Sequence, residues 1–67
     1  MIKVDFDREI DGRWIAEVVE LPGVLAYGQT KAEAEAKVRS LALRLIADRI
    51  DHGEPVPMLD DVFAGST

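Results

Sequence analysis

The first third of the chain carries the alternation of apolar and polar residues that is typical of β-strands. Residues 2–7 are apolar at even positions and charged at odd positions, so one face of this segment should be buried and the other solvated. Residues 14–19 also alternate, with Glu17 among the side chains of one face, and residues 24–27 form a shorter apolar run. We therefore predict three strands, with turns at Asp11-Gly12 and at Leu21-Pro22-Gly23.

The length of the first turn decides which side chains of the second strand are buried. A two-residue loop at Asp11-Gly12 would place Glu17 opposite Phe6, in the core. An odd-numbered loop such as residues 11–13 places Val18 opposite Phe6 instead. Because a shift of one residue turns every side chain to the other face, we expect the odd loop or a bulge, with Glu17 in solvent.

A long amphipathic helix is predicted from Thr30 to Asp51, about five or six turns in length. Thr30 and Glu33 have the spacing of a capping box, in which each side chain accepts a hydrogen bond from a backbone N–H at the helix start. Gly53 provides a residue that tolerates positive φ, and Pro55 prevents the helix from continuing. Both ends of the helix are therefore marked in the sequence.

The helix carries two apolar stripes. The stripe expected to face the sheet has apolar residues at spacings of three and four: Ala34, Val38, Leu41, Ala42 and Leu45. A second stripe lies well away from it: Ala36, Leu43, Ala47 and Ile50. One helix on one sheet buries one stripe. The second stripe is expected either to lie under the C-terminal tail or to contact another subunit or partner.

Together these elements predict an α+β fold, in which an antiparallel β-β-β meander is followed by one helix packed on one face of the sheet. Residues 58–63 are a candidate fourth strand, weakened by Asp60-Asp61. Sixty-seven residues allow one domain, which we assign to 1–67. A chain this short has a thin core, and without cysteine it has no disulfide, so oligomerisation is one expected source of added stability.

The formal net charge of −5 argues against direct binding of nucleic acid, which relies on Lys and Arg to neutralise phosphates. No apolar run approaches a membrane span, and charges at Lys3 and Asp5 interrupt the N-terminus, so we expect a cytoplasmic protein with no membrane association. Acidity is compatible with a basic partner or with solubility alone.

Residues for catalysis are sparse. His52, the one histidine, follows the predicted helix. The sequence contains no cysteine, and Ser40 and Ser66 are expected on a solvated helix face and in the C-terminal tail, so no nucleophile is expected beside it. Asp5, Asp7 and Glu9 diverge along one strand, whereas hard cations need oxygen ligands that converge from different elements. We therefore expect a binding module that is not an enzyme and holds no metal or cofactor.

Several motifs in order resemble the N-terminal domain of the HicB-type antitoxin family. They cover nearly the whole chain: Asp11-Gly12-Arg13-Trp14-Ile15-Ala16-Glu17-Val18, Glu20-Leu21-Pro22-Gly23-Val24, Tyr27-Gly28-Gln29-Thr30, Glu33-Ala34 and Gly53-Glu54-Pro55-Val56-Pro57. The Leu-Pro-Gly turn followed by Gly-x-Thr-x-x-Glu-Ala is the most specific part. The resemblance implies a β-β-β-α-β fold and a partner, a small basic HicA-type toxin that cleaves messenger RNA. It also implies dimers or higher oligomers.

Many members of that family carry a C-terminal DNA-binding domain, and no such pattern follows Pro57 here. The expected function is therefore neutralisation of the toxin by covering its active site. Acidic side chains that would guide a basic ribonuclease are the candidate contacts: Asp5, Asp7, Glu9, Glu17, Glu54, Asp60 and Asp61. The alternative is a stand-alone oligomeric module of the same fold without a toxin, in a regulatory or structural role.

Overall fold

The computed structural model describes residues 3–56, in which three antiparallel strands are followed by one helix. The strands are β1 (Val4–Arg8), β2 (Trp14–Val18) and β3 (Leu25–Gly28), and the helix is α1 (Lys31–Asp51). The sheet order is β1-β2-β3. The predicted α+β meander with one helix is confirmed. The candidate strand at 58–63, together with Asp60 and Asp61, lies outside the described residues.

The β1–β2 hairpin has the predicted parity, but its pairing differs by two residues from the prediction. Phe6 pairs with Ala16, where Val18 was expected, and Glu17 lies in solvent opposite Asp5. The loop is shifted towards β1, because the Gly12 N–H donates to the Glu9 carbonyl and Gly12 has φ +92°. This geometry is a turn closed by a left-handed glycine, a common three-residue hairpin loop.

The core lies between α1 and one face of the sheet. Its buried side chains come from β2, the β2–β3 connection and the helix: Ala16, Val18, Leu21, Val24, Ala34, Val38, Ala42 and Ile46. Val4 and Phe6 pack against this cluster from β1, as predicted. The prediction for α1 was partly wrong, since Leu41 is 42% exposed and the unpredicted Ile46 is buried. A rotation of the helix about its axis, relative to the predicted orientation, explains both differences. It turns Ile46, one turn beyond Ala42, towards the sheet and turns Leu41 away from it.

The start of α1 is fixed by the predicted cap. The Glu33 N–H donates to Thr30 Oγ1 over 3.1 Å. In return, Glu33 Oε1 accepts from the Gln29 N–H over 3.2 Å, one residue earlier than the standard capping box. Lys37 Nζ lies 3.3 Å from the same carboxylate oxygen. The backbone hydrogen bond, followed by Lys37, lowers the pKa of Glu33.

The end of α1 is closed by Gly53, as predicted, with φ +70°. The Gly53 N–H donates to the Ile50 carbonyl, and the Glu54 N–H donates to the Arg49 carbonyl over 2.8 Å. These two bonds are those of a Schellman motif, which satisfies carbonyls that the helix leaves free. Val56 then returns to pack against the core.

Candidate partner-binding surface

The outer face of the sheet, opposite α1, brings together four of the acidic residues predicted from the sequence. Side chains at odd positions of β1 point away from the helix, which places Asp5 and Asp7 on this face. In the register of the sheet, Asp5 pairs with Glu17, and Glu17 pairs in turn with Leu25. Strand pairing thus converts separate sequence positions into one surface.

These side chains surround an open depression of about 440 Å³. Its lining residues are Asp5, Phe6, Asp7, Glu9, Ile15, Glu17 and Leu25. We call this region the acidic surface. Ile15 and Leu25 give it an apolar floor, and four carboxylates stand around them. A surface of this kind suits long side chains with an apolar stem and a cationic head, which are Lys and Arg.

Among the described residues, the carboxylates of the acidic surface have no ion-pair partner within 4 Å. Within residues 3–56, no Lys, Arg or His side chain forms an ion pair with Asp5, Asp7, Glu9 or Glu17. Asp7 Oδ1 accepts a hydrogen bond from the Arg8 N–H over 2.8 Å. Four like charges close together favour a negative electrostatic potential at this part of the sheet.

The hairpin end of the same sheet has a different character. The Arg13 guanidinium lies 4.7 Å from the centre of the Tyr27 ring, and its Nε lies 2.8 Å from Asp11 Oδ2. The backbone N–H of Arg13 and then its side chain lower the pKa of Asp11. Asp11 and Arg13 therefore compensate each other, whereas Ile10 at the tip of the turn is fully exposed.

The remaining predicted contact residues are not part of this surface. Glu54 belongs to the turn after α1 and does not line the depression, and Asp60 and Asp61 lie outside the described residues. The second helix stripe is exposed: Ala36, Leu43, Ala47 and Ile50. Its apolar residues lie on the side of α1 that faces away from the sheet.

Ile15 and Leu25 were missed as site residues by the sequence analysis. Ile15 and Glu17 are two residues apart in β2 and share a face of the strand, so the position of Ile15 on the outer face could be predicted from the pattern. Leu25 gave no comparable signal, because its strand is only four residues long and its face follows from pairing with Glu17. The acidic residues could be identified from composition and strand alternation. The apolar residues between them could be identified only once the pairing of the strands was known.

No metal centre accompanies the acidic surface: among residues 3–56, no group of three His, Asp or Glu side chains has an arrangement that could hold an ion. His52 lies at the end of α1, with Nδ1 2.7 Å from the Asp48 carbonyl oxygen. Its side chain is 64% exposed. Within residues 3–56, its recorded hydrogen bond is to the helix backbone and no candidate nucleophile contacts it.

Comparisons of the chain with models of protein families, with curated proteins and with solved structures give no match. Across the part of the chain that the structure describes, no helix combines the length and the hydropathy that a membrane crossing needs.

Proposed function

We propose that this chain is an antitoxin-like module of the HicB type, which neutralises a small basic ribonuclease of the HicA type by covering its active site. The observation that carries the proposal is the acidic surface, where four carboxylates surround the apolar side chains of Ile15 and Leu25. The β-β-β-α order of the described residues supports it, because these are the first four elements of the β-β-β-α-β fold that the family resemblance implies. The module acts by binding, without catalysis or a cofactor.

The chemistry of the proposed partner accounts for the charge of the surface. An enzyme that binds RNA must present Lys and Arg to the phosphates. A surface with carboxylates at Asp5, Asp7 and Glu17 competes with RNA for those cations, and its apolar floor receives their aliphatic stems. The same negative potential would repel nucleic acid, so the partner is the protein and not its substrate.

Co-expression with the product of a neighbouring reading frame tests the function. If that frame encodes a short basic protein, the 67-residue chain should co-purify with it and suppress its cleavage of RNA. Absence of co-purification, or undiminished RNA cleavage at an excess of this chain, would refute the toxin pairing.

The role of the acidic surface is tested by reversing charge on β1. Asp5→Lys with Asp7→Lys should lower the association rate constant about 10-fold or more at low salt, since electrostatic steering acts mainly on association. Asp48→Lys with Asp51→Lys is the matched control on α1, where the net charge changes by the same amount and both side chains are exposed, Asp48 by 66%. It should alter the rate by less than about 2-fold. Association that is insensitive to salt would disprove the steering role.

A second candidate function is an oligomeric module of the same fold without a toxin partner. The exposed apolar residues Leu43 and Ile50 on α1 favour it, because they provide a contact surface that is independent of the acidic surface. A genome neighbourhood without a basic reading frame, together with a stable oligomer, would support this candidate over the first.

A further inference from the structure

The outer edge of β1 has no neighbouring strand within residues 3–56, because β1 is the end strand of the sheet. The Glu9 N–H donates to the carbonyl of Arg13, the residue opposite it, over 2.8 Å. Hydrogen-bonded pairs alternate along an antiparallel ladder, so the odd positions of β1 bond to β2. The even positions direct their backbone groups outwards, and the edge therefore offers the N–H and C=O groups of Val4 and Phe6.

The rest of this edge is partly closed by a side chain. The Arg8 N–H, which also points outwards, donates to Asp7 Oδ1 over 2.8 Å. No side chain of the described residues accepts from the N–H of Val4 or Phe6 in the same way. An edge with free backbone groups is a template for the addition of a strand.

The two faces of the sheet differ in chemistry beside this edge. On the helix side, α1 packs across β2 and β3, so Val4 and Phe6 are only half-buried, and Lys31 Nζ lies 4.7 Å from the centre of the Phe6 ring. On the outer face, Asp5 and Asp7 are exposed. Phe6 lines the acidic depression although its side chain points to the helix side, so the depression extends to the backbone of β1.

We propose that a strand of the basic ribonuclease adds to the open edge of β1 and continues the sheet. The inference rests on the proposed function, which supplies this partner. Because side chains alternate along a strand, the added strand carries Lys or Arg beside Asp5 and Asp7 and apolar side chains beside Val4 and Phe6. Backbone hydrogen bonds provide the affinity of such an addition, and the alternate side chains provide its specificity.

Charge favours this occupant over the other two that the chain itself could supply. Residues 50–67 contain neither Lys nor Arg, so the C-terminal part of the chain has no cationic side chain of this kind to place beside Asp5 and Asp7. A second copy that paired its β1 antiparallel to this one around Phe6 would set Asp5 opposite Asp7 twice. Like charges directly opposite each other destabilise a sheet. A basic strand is the complementary one.

Amide hydrogen exchange of the 67-residue chain, followed at each residue by NMR, tests the addition. The probe is a capped eight-residue peptide of alternating lysine and valine, and the control peptide alternates glutamate and valine. In the free chain, the amides of Asp5 and Asp7 should be protected, whereas those of Val4 and Phe6 should exchange freely. An excess of the lysine peptide should slow exchange at Val4 and Phe6 about 10-fold or more, and the glutamate peptide should not.

The same measurement has outcomes that would overturn the proposal. These are unchanged exchange at Val4 and Phe6 with the lysine peptide, and equal slowing by both peptides. Protection of the two amides in the free chain would also overturn it, since the C-terminal residues or, at high concentration only, a second copy would then occupy the edge. A complex that inhibits the ribonuclease but leaves both amides unprotected would refute strand addition and leave the proposed function intact. Absence of any complex would refute the function itself.

Val4→Pro tests the backbone contact directly. Proline is accepted at the first residue of an edge strand, and the N–H that it removes points away from β2. Val4→Ala is the matched control, because it shortens the side chain and keeps the N–H. Val4→Pro should bind the lysine peptide about 10-fold more weakly than Val4→Ala. Equal binding by the two variants, both folded by circular dichroism, would contradict the proposal.

Discussion

Two sides of the same helix, both apolar, have opposite fates in this protein. The inner stripe (Ala34, Val38, Ala42 and Ile46) is buried against the sheet, whereas the outer stripe (Ala36, Leu43, Ala47 and Ile50) is in solvent. The outer stripe nevertheless contains Leu43 and Ile50, which are larger than the two alanines of the inner stripe. Hydrophobicity alone therefore does not determine which side of α1 faces the core.

The inner side of α1 lies against the sheet because the helix begins very close to β3. A Cβ atom built on Gly28 would lie 2.5 Å from the backbone nitrogen of Ala34, and Ala34 has no exposed surface. Glycine at position 28 allows the helix backbone to approach this closely. Further along the helix Ile46 is buried, whereas Leu43 and Ile50 are exposed.

The largest effect is expected from truncation of the inner stripe. Ile46→Ala should lower the free energy of unfolding by about 3 kcal/mol, because Ile46 is 4% exposed and its removal leaves a cavity. Leu43→Ala, the same kind of truncation on the outer stripe, should change it by less than about 0.5 kcal/mol. Urea unfolding at low protein concentration measures both. Equal losses would mean that the two sides do not differ as described.

The close approach of helix and sheet is tested by Gly28→Ala. The added methyl group would lie 3.0 Å from the Glu33 carbonyl carbon as well as 2.5 Å from the Ala34 nitrogen, so the helix start must move. We expect a loss of about 2 kcal/mol, typical of overpacking. Gly23→Ala is a useful control, since its Cβ would meet nothing within 4 Å and its cost would come from the positive φ alone. Retention of wild-type stability by Gly28→Ala would disprove the packing argument.

The helix cap holds the first turn that both sides of α1 share. Thr30→Ala removes the oxygen that accepts from the Glu33 N–H and should cost about 1 kcal/mol. Thr30→Ser keeps this oxygen and should retain nearly all the stability. Thermal or urea unfolding of the two variants separates the loss of the capping hydrogen bond from a general effect of shortening the side chain. A comparable loss of stability in both variants would exclude the hydrogen bond as the cause.

The smallest effect concerns the pH dependence of the same helix start. Hydrogen bonding by the Gln29 N–H, and then Lys37, lowers the pKa of Glu33 in the folded chain. The contribution to stability is therefore complete above the unfolded pKa, about 4.3, and is lost as the pH falls through the lower folded value. Glu33→Gln should be slightly less stable than the wild type at neutral pH and should approach it in acid. A difference independent of pH would contradict this assignment.

Much of the fold could be predicted from local signals. Alternation located β1 and β2, and Thr30 and Gly53 marked the helix ends because capping depends on nearby backbone groups. The hairpin pairing was predicted with the right parity but two residues out of place. Parity follows from the need to bury Val18 and expose Glu17, whereas the exact pairing depends on where Gly12 takes its positive φ.

The candidate site was predictable only in part. Asp5, Asp7, Glu9 and Glu17 could be selected as exposed acids, since strand alternation places them on the wet face. The depression they surround could not, because it depends on the side-by-side placement of Ile15 and Leu25 from different strands. Glu54 was selected by charge alone, and the fold puts it in the turn after the helix.

The sequence by itself determined the order of the elements, the ends of the helix, the wet face of β1 and the two apolar stripes of α1. All of these depend on residues that are close together in the sequence, where the spacing along a helix or strand determines the side to which each side chain points. Tertiary structure alone decided that Ile46 is buried and Leu41 exposed, and that Leu25 joins the acids of β1 and β2. The physical reason is close packing: the contact of Gly28 with Ala34 fixes the rotation of the helix, and strand pairing fixes which distant side chains become neighbours.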